Sequence, residues 1–178
     1  MDPLKIIKKY YKKDSRAFKI LLNHSNAVAE KALIIAEKFK DIDKEFIYQS
    51  AMLHDIGIFM TNMPKLDCYG KFPYIAHGYL GREILEKEGY PAHALVCERH
   101  TGTGITKEEI IKNNLPLPVR DMIPVKIEEK IIAFADKFFS KESDGSVRIR
   151  TVEEIIIDLS RYGDDKVKIF KKWMEIFG

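Results

Sequence analysis

From one end of this chain to the other, apolar residues recur at helical spacing, and no stretch of any length alternates as a strand would. Leu22, Ala29, Leu33 and Ala36 lie close to one stripe of a helix over Phe18–Phe39. RIRTV at 148–152 is the one weak strand candidate. Striped helices can bury their apolar faces only against other helices, so the expected fold is all-α.

The breaks divide the chain into eight or nine helices. Leu4–Lys12 reads as a short basic helix. Asp43 is a plausible N-cap for a helix that runs through Phe46, Ile47 and Met52 to His54, closed by Gly57. Residues 60–75, with two prolines and a glycine, read as a long loop. His77–Glu88 is helical and ends at Gly89. Pro91 opens a further helix carrying Leu95, Val96 and His100, stopped by TGTG at 101–104. Thr106 with Glu109, and Thr151 with Glu154, form capping-box patterns. The three prolines of 115–125 require irregular backbone. Glu128–Ser140 reads as a helix, KESDGSVRIR as a loop, and Asp164 or Asp165 starts an amphipathic last helix through Trp173 and Phe177.

With 178 residues, one domain is expected. A net charge of +3, from 30 basic and 27 acidic residues, carries no strong nucleic-acid signal. Cys68 and Cys97 fit no zinc-ribbon spacing and read as free thiols in a reducing compartment. The charged opening residues are unlike a signal peptide, and no apolar run approaches the roughly 20 residues of a membrane span. A cytoplasmic protein without a membrane partner is expected.

Among the five histidines, His54 is followed directly by Asp55. Adjacent side chains on a helix diverge by about 100°, so the pair can share one ion only at a helix end. Gly57 suggests such an end. Asp136 lies in IIAFADKFF, where an ionised carboxylate is costly unless paired or ligating. Imidazole with carboxylate suits iron, manganese or zinc. Any one of these residues alone is ordinary. The informative feature is their order: His24, then His54-Asp55, then His77 and His100, then Asp136. His93, in the first turn of its helix, reads as a surface or substrate-contacting residue.

This ordered set resembles the HD superfamily of metal-dependent phosphohydrolases. MLHDIG at 52–57 matches the His-Asp-Ile-Gly variant, NHSNAVAEKALIIAEKF at 23–39 looks like its first helix, and FADKF at 134–138 supplies the final aspartate. The resemblance spans roughly 20–141. It implies a single domain, 1–178, with an HD core at 20–141 and C-terminal helices over 151–177 packed on it. It implies metal binding by His24, His54, Asp55 and Asp136. HGYLG and RHTG resemble the further histidines of two-metal members, such as diadenosine tetraphosphate hydrolases and HD-GYP phosphodiesterases. There Asp55 would bridge two ions and His77 and His100 would hold the second. The cofactor implied is a divalent metal, one or two ions, with iron or manganese favoured over magnesium or zinc.

One departure limits the carry-over. Many members place Lys after the glycine, where this chain has Ile58. The glycine-tyrosine-proline segment of the HD-GYP group is not evident either. LPLPVRDMIPVKIEEKIIAFADK resembles small stand-alone HD proteins of archaea and bacteria.

The expected activity is hydrolysis of a nucleotide or other phosphoester or phosphoanhydride by a metal-bound hydroxide at a dinuclear site, with His54 and Asp55 as its catalytic pair. The expected partner is a small phosphorylated molecule, and a homodimer stays open. Arg82, Arg99, Lys137 and, in the 60–75 loop, Lys71 are candidate phosphate contacts, with Tyr69 and Tyr74 for a base. Each reads equally as a solvated or covering side chain. The rivals are a di-iron oxygenase of the same superfamily and a non-catalytic nucleotide-sensing module, the latter kept alive by Ile58.

Overall fold

The structure, a computed structural model, describes residues 1–178. Nine α-helices form the body: α1 Pro3–Tyr10, α2 Arg16–Ala36, α3 Lys44–Leu53, α4 His77–Lys87, α5 Pro91–Arg99, α6 Lys107–Lys112, α7 Ile127–Asp136, α8 Val152–Ser160 and α9 Asp164–Phe177. The all-α expectation holds. Local chemistry sets the starts. Asp43 accepts from the Phe46 amide, and the Thr106–Glu109 and Thr151–Glu154 capping boxes are both complete. No helix is long and apolar enough to cross a membrane.

Helix α7 is the axis of the bundle. Ile131 to Ala135 are buried in succession, so the helix is apolar on every side and enclosed by its neighbours. Val28 and Ala32 of α2, Ile47 and Ala51 of α3, and Phe170, Trp173 and Phe177 of α9 pack in the same core. A second core joins α1 to α3, α4 and α5 through Ile7, Leu53, Leu85 and Cys97.

Three stretches depart from the sequence reading. The helix expected over 128–140 stops at Asp136, and the loop expected after it is a hairpin. Strand β3 (Phe139–Lys141) pairs antiparallel with β4 (Val147–Ile149), with Lys141 opposite Val147. The Ser-Asp-Gly turn explains this: Gly145 takes φ 88°, and Asp144 accepts from the Ser146 amide. Residues 60–75 are also more ordered than a loop. They contain the two-residue ladder Asn62–Met63 with Cys68–Tyr69, and 3-10 turns at Pro64–Leu66 and Tyr74–Ala76.

Past α3, a 3-10 helix (Ile56–Met60) runs against α4. The approach is so close that a Cβ on Gly57 would fall 2.2 Å from the His77 carbonyl oxygen and 2.5 Å from the Gly81 amide nitrogen. Both neighbours are backbone and cannot step aside alone. Gly57→Ala should therefore lower unfolding stability by about 1–3 kcal/mol, the scale of core overpacking. Urea denaturation checks this, and an unchanged midpoint would refute the close-packing account.

Candidate metal centre

Six buried side chains converge where α2, α3, α4, α5 and α7 meet. His24 comes from the middle of α2. His54 and Asp55 follow the last residue of α3, His77 opens α4, His100 follows α5, and Asp136 ends α7. The helix ends answer the geometric objection to an adjacent His-Asp pair. At His54 the chain leaves α3, and Asp55 sits at φ −106°, ψ 11°, off the helical path.

Asp55 divides the six into two sets. Its Oδ2 lies 3.4 Å from His24 Nε2 and 3.3 Å from His54 Nε2. Asp136 Oδ1 completes that set, 2.9 Å from His24 and 3.5 Å from His54. On the other side, Asp55 Oδ1 lies 3.3 Å from His77 Nε2 and 3.4 Å from His100 Nε2, and those two nitrogens are 3.0 Å apart. Metal–ligand bonds of roughly 2.1 Å put neighbouring ligand atoms roughly 3.0–3.4 Å apart. Both sets have the dimensions of a coordination shell.

The hydrogen bonds behind the rings point the same way. His54, His77 and His100 each donate from Nδ1 to the carbonyl three residues back: Ala51 at 2.6 Å, Tyr74 at 2.6 Å and Cys97 at 2.7 Å. That bond fixes the ring and turns Nε2 into the site. Neither oxygen of Asp55 nor Nε2 of His54 makes a hydrogen bond of good geometry, although all three are buried. Buried polar atoms left so in an oriented His/Asp cluster are what a divalent cation would satisfy.

A family model described as the HD domain matches residues 21–140. The chain belongs to the HD-domain family. An uncharacterized protein of Methanocaldococcus jannaschii is 40% identical over 121 residues, 65% of this chain and 64% of its own length. A tRNA (cytidine(56)-2'-O)-methyltransferase of Picrophilus torridus is 37% identical over 131 residues, 73% of this chain and 34% of its own. Its namesake in Thermoplasma volcanium is 36% identical over 121 residues, 67% of this chain and 32% of its own. The chain thus spans just under two thirds of the first relative and about a third of the other two. No solved structure matches.

Four of the six, Asp55, His77, His100 and Asp136, form the floor of a cleft of about 420 Å³. Of the expected substrate contacts, Lys137 lines it, with Nζ 2.9 Å from Asp136 Oδ2. Tyr74 also lines it, its ring stacked on His77. Arg82 and Arg99 are engaged elsewhere. Arg82 binds Glu98 at 2.6 Å and Glu86 at 2.7 Å, and Arg99 holds both oxygens of Glu129 at 3.1 Å. Glu98 and Glu129 are buried, so these arginines are their counter-ions. Lys71 and Tyr69 are exposed and outside the cleft wall. His93 bonds Gln49 at 3.0 Å and packs on Phe46, away from the six.

The residue missed from sequence is Lys141. It reaches in from β3 and places Nζ 2.6 Å from Asp55 Oδ2. Arg148 and Arg150, from the same hairpin segment, also line the cleft. Reading Ser140 as the end of a helix hid all three. The Ser-Asp-Gly turn between two short β-prone runs was the available signal.

Charge in the cluster follows from these contacts. Burial would raise the Asp55 carboxyl, but Lys141 and then His54 override it and hold it well below the usual range. Burial likewise opposes ionisation of Asp136, and Lys137 and His24 keep it ionised. Burial lowers His77 to about 3 and His24 to about 4. Burial would also lower His54, but Asp55 and Asp136 outweigh it and push it up to about 9. His54 Nδ1 is committed to Ala51, so the proton gained is on Nε2, the atom turned toward Asp55 and Asp136.

A cation can bind there only by displacing that proton. Below about pH 9 His54 carries it, so uptake of Mn²⁺ at pH 7–8 should release about one proton, and release should fade above pH 9. Calorimetry in buffers of different ionisation enthalpy measures the number. Buffer-independent heats at pH 7.5 would contradict the assignment.

Proposed function

We propose that this HD domain is a metal-dependent phosphohydrolase, acting on a nucleotide or another phosphoester or phosphoanhydride. One observation carries the reading: Asp55 is shared by two ligand sets at the floor of a cleft walled by Lys65, Lys137, Lys141, Arg148 and Arg150. Two-metal sites are built this way for in-line displacement at phosphorus. A cationic wall suits a reaction whose transition state spreads negative charge over phosphoryl oxygens.

His24, His54, Asp55 and Asp136 would hold one ion, and Asp55, His77 and His100 a second. Bound there, a divalent cation supplies an acidified water and polarises the phosphoryl oxygen. The chain's own residues do the rest. Asp55 sets the spacing of the two sets. Lys137 and Lys141 face the phosphoryl oxygens as fixed cations, and Arg148, paired with Glu154, and Arg150, paired with Asp158, complete the wall.

Lys141 also addresses the departure at Ile58. The Ile58 side chain is buried with Ile20, Leu66 and Cys68, and it lines a small cavity with Lys141. Lys141 brings a cation to the same floor from the hairpin. Although burial disfavours the charge, Asp55 keeps its ammonium protonated, so it stands there as a fixed cation and hydrogen-bond donor.

The methyltransferase names of two relatives cover proteins about three times as long as the shared segment. Methyl transfer is not carried over. Because those names mention tRNA, short RNAs belong in the substrate panel beside free nucleotides.

The test is phosphate release by metal-loaded protein across nucleotides, small phosphoesters and short RNAs. Turnover should require added manganese, iron, magnesium or zinc and stop with chelator. Asp55→Asn should abolish it. Lys141→Gln should lower kcat about 10²–10³-fold, the cost of losing one transition-state donor, with metal content unchanged. Oxygen uptake without phosphate release would favour the di-iron oxygenase. Tight nucleotide binding without turnover would favour a sensing module.

A further inference from the structure

A second cleft, of about 400 Å³, adjoins the first and shares Thr101 and Lys137 with it as a common sill. Its walls are the Thr101–Gly104 loop, the end of α6, and the junction of α8 with α9. The metal chamber is lined by five cations against Glu142 and the two ligand carboxylates, and the second by Lys137, Arg161 and Lys166 against Glu109 and Asp158. In the second chamber Lys166 is buried and bound to Gly104 O at 2.9 Å and Glu109 Oε2 at 2.7 Å, and Asp158 is shared by Arg150 at 3.2 Å and Arg161 at 3.6 Å. The second chamber is the less cationic of the two.

What the second chamber offers is surface for a neutral ring-bearing group. Leu159, Leu115 and Ile105 supply apolar wall, and Tyr162, 71% exposed, stands among its lining residues. An exposed tyrosine ring is a stacking platform for a base. Thr103 is 2% exposed, lines the cleft, and its Oγ1 has no hydrogen-bond partner. A buried hydroxyl without a partner is costly unless a ligand or water answers it. Gly102 and Gly104 hold positive φ, 62° and 100°, which shapes the tight loop that carries Thr103 at the chamber wall. The volume lies within the range of small-molecule sites.

We propose that this second chamber binds the nucleoside part of a nucleotide whose phosphate lies at Asp55. The inference rests on the hydrolase reading for the phosphate end only. Tyr162 stacks on the base, while the Thr103 hydroxyl hydrogen-bonds the sugar or base edge. Asp158, Leu159, Arg161, Tyr162 and Lys166 all lie beyond the 21–140 family match. Choice among phosphorylated substrates therefore resides in the C-terminal helices rather than in the shared metal cluster.

Two measurements test this. In amide spectra of the full, magnesium-loaded chain, adenosine, cytidine, guanosine or uridine should shift Gly102, Gly104 and Tyr162, and inorganic phosphate should shift residues around Lys141. In kinetics, Tyr162→Ala should lower the kcat/KM ratio of nucleoside monophosphate to glycerol phosphate about tenfold, through KM, the scale of one lost base stack. Thr103→Val should lower the same ratio. Shifts without turnover of any phosphoester would sink the hydrolase reading and leave the nucleoside site standing. If Gly102, Gly104 and Tyr162 do not move with any nucleoside, or the ratio is unchanged in Tyr162→Ala, the second chamber is not a nucleoside site.

Discussion

Everything in the site depends on one carboxylate. Asp55 is fully buried at the meeting of five helices, its two oxygens turned to opposite sets of imidazoles and Oδ2 also 2.6 Å from the Lys141 ammonium. Burying an ionised carboxylate in that way costs several kcal/mol unless positive charge is brought to it. In this chain that charge comes from Lys141 and protonated His54. A divalent cation would supply it more fully. The cluster is thus a balanced electrostatic unit delivered by helix ends. Gly57 and Gly81 show the constraint in backbone terms, since α4 could not bring His77 to Asp55 past a side chain at Gly57.

The bundle was legible in the sequence because it rests on short-range rules. Apolar stripes marked α2, α7 and α9, and Asp43, Thr106 and Thr151 cap the helices that their patterns announced. The six metal-site candidates were legible by residue type and order, helped by family resemblance. Periodicity carried only Asp136 independently, as a carboxylate in an apolar helix. Their division into two sets about Asp55 is a three-dimensional fact that spacing along the chain does not contain.

The surrounding cations were read less well, for a physical reason. Arg82 and Arg99 looked available because each follows a site histidine or stands beside one. What governs them is the burial of Glu98 and Glu129, and each arginine is drawn to its glutamate. Lys141 was hidden by the opposite error. Phe138 and Phe139 extend the apolar stripe of α7 past Asp136, so local pattern favours more helix. The Ser-Asp-Gly turn and the pairing with Val147–Ile149 win instead, and the hairpin swings Lys141 onto Asp55. Tertiary pairing overrode local propensity at the point where the site gains its nearest cation.

The central claim is that Asp55 links two cation sites. Metal analysis of chain purified without chelator and reconstituted with manganese tests it most directly. The account predicts two ions per chain in the wild type, one in His100→Ala, and loss of both in Asp55→Ala. A single ion in the wild type, or an Asp55→Ala chain that keeps its full complement, would contradict it.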